Sequence, residues 1–120
     1  MAVLSGEQSE KEIRWVGSSL KDLKSFPLAV LRQAGFQLGR VQNGLDPEDW
    51  KPFDTLGSGV REMRLSEGGG VFRVMYVSKL AEAVYVLHCF QKKTKVTRQT
   101  DKSITKTRYR EVVRKREGKK

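Results

Sequence analysis

Arg73 poses the sharpest chemical question in this sequence, because it is the single charge in the apolar run Val71-Phe72-Arg73-Val74-Met75-Tyr76-Val77. A guanidinium buried without a partner costs several kcal/mol, so Arg73 must reach solvent, a carboxylate such as Glu62, or a phosphate. A second centre is the adjacent pair Lys92 and Lys93, at the end of another apolar run. Crowding two cations lowers an ammonium's pKa, which makes one of the pair a proton donor or acceptor. The chain has one histidine, His88, and one cysteine, Cys89. That inventory excludes a two-histidine acid–base pair, a thiolate metal centre and an internal disulfide, and no metal or cofactor is expected. The triplet Gly68-Gly69-Gly70 lacks the lysine and hydroxyl residue of a phosphate-binding loop and precedes a strand, so it reads as a turn.

Charge distribution narrows the partners. Of 24 Lys and Arg against 14 Asp and Glu, residues 91–120 hold 13 basic and three acidic residues, a net of +10, which leaves residues 1–90 neutral. Charge concentrated on one segment attracts phosphate or an acidic protein, although a solvated terminus has the same composition. The opening residues carry no basic flank followed by a long apolar run, and no run of apolar residues is long enough to span a bilayer. A cytoplasmic protein with no membrane association is the expectation.

The length of 120 residues corresponds to one domain. Its expected extent is 12–115, between a flexible leader at 1–11 and a basic tail at 116–120. Ile13 and Trp15 alternate with Glu12 and Arg14 as in a half-buried strand. Ser18 is placed to cap a short helix through Lys24, and Pro27 to open a second that ends near Val41. Leu28, Leu31, Gly35 and Leu38 form its expected core stripe, and the short link between the helices predicts an antiparallel hairpin. Residues 45–58 read as a loop, anchored to the core by Trp50 and Phe53. Strands are predicted at 60–65, 71–77 and 83–90, with a hairpin loop at 66–70, and Asp101 caps a final basic helix whose apolar face is Ile104, Tyr109 and Val112. The expected fold is α+β: a small antiparallel sheet, an N-terminal helical hairpin packed on one face, and a C-terminal basic helix that docks loosely. The second sheet face is left free to bind.

Five segments in order carry a resemblance. They are Val41-Gln42-Asn43-Gly44, Asp49-Trp50-Lys51-Pro52, Gly59-Val60-Arg61-Glu62-Met63-Arg64, Phe72-Arg73-Val74-Met75-Tyr76 and Val86-Leu87-His88-Cys89-Phe90-Gln91-Lys92-Lys93-Thr94. Over residues 12–115 the chain resembles the phage-derived, HigB-like branch of the RelE/ParE toxins of type II toxin–antitoxin systems. The resemblance implies a RelE-like fold and a metal-independent endoribonuclease that cuts messenger RNA on the ribosome. It also implies a helix-turn-helix, HigA-like antitoxin as partner, with operator DNA bound only through that antitoxin. Relatives in the ParE branch instead inhibit DNA gyrase without nuclease chemistry, and a plain nucleic-acid-binding module is a third reading.

Cleaving RNA without metal needs a group to take the 2′-hydroxyl proton, cations to stabilise the phosphorane, and a proton for the leaving oxygen. Arg73 matches the family's strand arginine, and its planar fork suits the scissile phosphate. Lys92 and Lys93 are the candidates for proton transfer. Glu62 and Arg64, expected together on the exposed face of the adjoining strand, stand where ribosome-dependent relatives carry basic residues; Glu62 departs from that pattern and is either a base or the ion-pair partner of Arg73. Lys95, Arg98 and Arg61 extend the RNA-binding set. By strand parity His88 shares a face with Val84, Val86 and Phe90, which makes it a core histidine first and a catalytic candidate second. Tyr109 is likewise a secondary candidate, with core packing the simpler role.

Overall fold

Along the chain of the computed structural model, which describes residues 10–118, run β1 (Glu12–Trp15), α1 (Ser19–Lys24), α2 (Leu28–Gln42), β2 (Trp50–Pro52), a 3-10 turn (Asp54–Leu56), β3 (Val60–Glu67), β4 (Gly70–Val77), β5 (Ala83–Lys92) and α3 (Gln99–Gly118). The five strands form one sheet in the order β1-β5-β4-β3-β2. The α+β class is as expected, but the sheet is mixed rather than antiparallel, because β1 lies parallel to β5, with Ile13 opposite Val84 and Trp15 opposite Val86. Short links force β3, β4 and β5 to alternate in direction; β1 is joined to the rest through two helices and is free of that constraint. At the β3–β4 hairpin Gly68 and Gly69 both have positive φ, 57° and 80°, so the turn needs two residues where five were expected. The segment expected to be a loop supplies the edge strand β2, which pairs with β3.

Apolar residues cover both faces of the sheet. On one, Met63, Leu65, Phe72, Val74, Tyr76, Val84 and Val86 pack against Leu23 of α1 and Val30, Ala34, Leu38 and Val41 of α2. Of the stripe expected on α2, Leu38 is in the core and Leu31 packs against it, but Leu28 is 60% exposed and Gly35 faces outward, so the buried face is turned toward Val30, Ala34 and Val41. Spacing alone permits either stripe, and the one that is buried presents small and β-branched side chains that lie flat on a sheet. Both helices lie on this one face of the sheet, α1 over β5 and α2 over β3, and they touch the strands more than each other. Ser18 makes no side-chain cap; its hydroxyl donates to Asp22 Oδ2 at 2.7 Å.

The opposite face, expected to be free, is covered. Val60, Met75, Val77, Ala83, Tyr85, Leu87 and Phe90 pack against Leu56 of the 3-10 turn and Val112 of α3. The helix begins at Gln99, two residues before Asp101, and continues through Gly118, where Arg116 clips its end to Glu82 at 2.6 Å. That hydrogen-bonded guanidinium pulls the Glu82 carboxyl down to about 2. At the other end of the described chain, Lys11 donates to the carbonyls of Ser78 and Leu80 at 2.6 and 2.9 Å, so it belongs to the folded unit and not to a leader. Residues 1–9 and 119–120 lie outside the described residues. Among the described residues no helix is long and apolar enough to cross a membrane.

One irregularity decides which side chains meet. In β5 the register with β4 shifts: Val86 lies opposite Tyr76 and His88 opposite Met75, so Leu87 is an inserted residue. A bulge of this kind inverts side-chain alternation beyond it. Val84 and Val86 face α2, whereas beyond the bulge Cys89 takes that side and His88, Phe90 and Lys92 turn toward α3. The carbonyls at this site are held from outside the sheet. Val86 accepts from the Val16 amide at 3.0 Å and the Ser19 hydroxyl at 3.1 Å, and Leu87 accepts from Arg108 Nη1 at 2.9 Å. Arg108 Nη2 reaches on to Ser18 Oγ at 3.1 Å, tying α3 to the start of α1 across the bulge.

Arg108→Met keeps the aliphatic stem and removes both hydrogen bonds. It is expected to cost about 1–3 kcal/mol, read from urea denaturation, because the bulge carbonyl loses its donor; a loss no larger than that of an exposed lysine substitution would show that α3 does not hold the bulge.

Candidate functional site

Strand register places a row of polar side chains under the N-terminal end of α3. Arg64 of β3 lies opposite Arg73 of β4, which lies opposite Phe90 of β5; in the next row come Lys51, Glu62, Met75 and His88. Directly opposed like charges are unfavourable on a sheet, and these arginines must be offset by acid or by an anion. The nearest acid for Arg73 is Glu62: Arg73 Nε stands 3.8 Å from Glu62 Oε2, with the two side chains 4% and 1% exposed. Glu62 was expected on an exposed face; α3 and the segment before it bury it. Its Oε2 accepts from Thr97 Oγ1 at 3.0 Å, and Lys51 Nζ approaches Oε1 at 3.5 Å. Arg64, half exposed, pairs loosely with Asp49 at 3.7 Å.

This pair is incompletely satisfied. Arg73 Nε and Glu62 Oε1 are buried and have no hydrogen-bond partner among the described residues. Burial pulls the Arg73 pKa down, partly offset by the Glu62 charge. Lys92, brought to this face by the bulge, is half-buried, and its pKa is lowered by desolvation first and by Arg73 next. Three further cations therefore converge on one buried ion pair: Lys51, Arg64 and Lys92. A cluster of this composition carries an excess of positive charge, which an anion at its exposed members Lys51 and Arg64 would offset.

The sequence candidates separate accordingly. Arg73, Glu62, Arg64 and Lys92 share one face. Lys93 lies beyond the end of β5 and is exposed, as are Lys95 and Arg98 in the segment leading to α3. Arg61 points to the other face, where it bonds Asp46 at 2.6 Å and lies over the Trp50 ring at 4.1 Å; Trp50 is thus a platform for that arginine and no core anchor. His88 does not share a face with Val84 and Val86, because the bulge turns it toward α3. There its Nε2 meets Asp101 Oδ1 at 2.8 Å and its ring stacks on Phe90 at 5.0 Å. Asp101 is consequently a partner of His88 rather than the cap of α3. Tyr109 donates to the Ser58 carbonyl at 2.9 Å and packs on Gly57, away from the cluster.

Two members were missed by sequence reasoning. Lys51 and Thr97 lay in segments read as loops, and only the pairing of β2 with β3 and the return of the chain into α3 bring them to Glu62. The motif Asp49-Trp50-Lys51-Pro52 was itself the available signal for Lys51.

A family model described as Phage derived protein Gp49-like (DUF891) matches residues 21–110, which include every member of the cluster. No curated protein matches the sequence.

Two outcomes follow from this geometry. Glu62→Ala should destabilise the fold by about 3–5 kcal/mol, because it strands the buried Arg73 charge, and the Glu62→Ala/Arg73→Ala double variant should lose less than the sum of the singles. Additive losses in urea denaturation would show that the two do not act as a pair. Gly57→Ala places a Cβ 2.4 Å from the Tyr109 ring. It should lower stability by about 1–3 kcal/mol, with recovery in a Gly57→Ala/Tyr109→Ala background measured by thermal melting.

Proposed function

This chain belongs to the Gp49-like family of phage-derived proteins, part of the RelE/ParE-like toxin superfamily, and on that premise we propose that it is the toxin of a type II toxin–antitoxin pair, a metal-independent endoribonuclease that cuts messenger RNA on the ribosome. The observation that carries this reading is the convergence of Arg73, Lys51, Arg64 and Lys92 on one face of the sheet, with an orphaned guanidinium nitrogen at its centre.

Each group has a role in that chemistry. Arg73, assisted by Arg64 and Lys51, receives the scissile phosphate and holds the extra negative charge that develops as the 2′-oxygen bonds to phosphorus. Lys92, its pKa lowered by burial and by Arg73, supplies a neutral amine that takes the 2′-hydroxyl proton. The P–O5′ bond breaks, the departing oxygen takes a proton from water, and the products are a 2′,3′-cyclic phosphate and a 5′-hydroxyl. Glu62 is a positioning residue, since its Oε2 faces Arg73 and accepts from Thr97 while its Oε1 faces Lys51. A helix-turn-helix, HigA-like antitoxin neutralises the toxin in this reading, and operator DNA is bound only through that partner.

Brief induction in bacteria followed by genome-wide mapping of transcript 5′ ends tests the proposal. New ends inside translated reading frames are expected. Arg73→Ala and Lys92→Ala, each verified as folded by circular dichroism, should each reduce them by about 10²–10³-fold, as removal of a transition-state donor does elsewhere. Growth arrest with no new ends would overturn the nuclease and favour the superfamily's gyrase-inhibiting branch. The rate has a pH signature as well. The working form of Lys92 is the free amine, so cleavage should rise as pH rises through its pKa, at a pH below the ordinary lysine range. That limb should vanish in Lys92→Arg.

A further inference from the structure

The outer face of α3 carries a row of cations that the proposed reaction does not use. Lys102, Lys106, Arg110 and Arg114 recur every four residues, and none of them makes an ion pair among the described residues. At 1.5 Å per residue the first three span about 12 Å along the helix. The acids of α3 are turned elsewhere: Asp101 binds His88, while Glu111 and Glu117 line the cleft on the far side, beside Arg14 and Glu82. Other basic residues of the helix are likewise spent on the fold, Arg108 on the bulge and Arg116 on Glu82. The row is therefore a segregated remainder of one sign.

It also borders a groove. Between α3 and the 3-10 turn lies a depression of about 350 Å³ with Thr55 and Leu56 on one wall and Ser103 and Thr107 beside the cations on the other. At its upper end Lys102 Nζ sits 5.8 Å from the centre of the Phe53 ring, and Lys51 Nζ sits 5.6 Å from the same ring. Lys51 is the cation that approaches Glu62 in the cluster. The row thus begins where the cluster ends, with one aromatic ring between them, and hydroxyl groups alternate with ammonium and guanidinium groups along its length. Evenly stepped cations with interleaved hydroxyl donors fit a polymer of evenly stepped phosphates.

We propose that the α3 face bearing Lys102, Lys106 and Arg110 is a binding track for the phosphodiester backbone of a single RNA strand that leaves the Arg73–Glu62 cluster across Phe53. The inference rests on the reading of that cluster as an RNA site, but it predicts binding and not cleavage. A mixed-sequence 2′-O-methyl RNA single strand presents the phosphates without a nucleophilic 2′-hydroxyl, so binding to the intact protein is measured free of turnover. The triple variant Lys102→Gln/Lys106→Gln/Arg110→Gln should weaken binding at least tenfold near physiological salt. It should also lower the slope of log affinity against log salt by about 2, three phosphate contacts at roughly 0.7 each. The control, Lys21→Gln/Lys24→Gln/Arg32→Gln, removes the same charge from exposed positions on the other side of the sheet and should change neither quantity by as much as half of this.

Equal losses in the two triple variants would mean that total charge alone matters and would overturn the track, as would unchanged binding in the α3 variant. A parallel titration with polyglutamate should be insensitive to the α3 substitutions; a loss equal to that for RNA would overturn the assignment to RNA and leave a general anion surface. Cleavage lost in Arg73→Ala with normal binding in the α3 triple variant would sink the track and leave the nuclease reading standing.

Discussion

The inserted residue at Leu87 is the constraint on which the candidate site depends. A regular β5 would place His88 and Lys92 on the same side as Val84 and Val86, under α2 and in the larger apolar cluster. Two ionisable groups would then need partners in a layer that has none to give. With the insertion, both turn to the face of Arg73, and Cys89 takes the apolar position that alternation would have given to one of them. The desolvation of a charge is far more costly than one irregular pair of strand hydrogen bonds, and the bulge is the cheaper arrangement. Its carbonyls are not left unmet. Amide, hydroxyl and guanidinium donors from the end of β1, from α1 and from α3 converge on Val86 and Leu87, so three separate elements are positioned by the same two residues.

That convergence accounts for the role of α3. A helix with few apolar residues and many cations has little hydrophobic reason to dock, since Val112 and Thr105 are its only buried side chains among the described residues. It is held by specific polar attachments spaced along its length: Asp101 to His88, Arg108 to Leu87 and Ser18, Tyr109 to Ser58, and Arg116 to Glu82. Individually such contacts contribute about 1 kcal/mol or less, and exposed ones less still. Together they fix a helix whose arrival buries Glu62 and brings Thr97 to it. The cluster is therefore completed by the element that stands last along the chain.

Electrostatics give the assembled face its character. Glu62 is the one buried acid within the group of Lys51, Arg64, Arg73 and Lys92, Asp49 lying exposed beside Arg64, and it is the most deeply buried member. Placed there, it lowers the repulsion enough for the cations to share one face, yet its shielding from solvent leaves the outward side of the cluster positive. The same segregation recurs along α3, where acids face inward or toward the far cleft and the outer row is basic. Net charge is thus sorted by face as well as by segment.

Much of this was legible from residue order. The α+β class, the three central strands, the face shared by Glu62 and Arg64, and the need of Arg73 for a partner follow from alternation and from the cost of burying charge; both are local properties that no later packing can cancel. The concentration of cations in the last quarter is likewise a fact of sequence. Tertiary structure decided what local pattern could not. Two overlapping stripes on α2 were equally periodic, and only the flat surface of the sheet added Val30 and Ala34 to Leu38 in place of Leu28 and Gly35. The direction of β1 was left open by its long connection through two helices and is set by its parallel pairing with β5. The face of His88 and Lys92 turned on one inserted residue, whose position leaves no mark among Val84, Tyr85, Val86 and Leu87, because each of those apolar side chains suits either face. Lys51 and Thr97 joined the site through contacts between residues distant in the chain, and a sequence states such contacts only once the chain has folded.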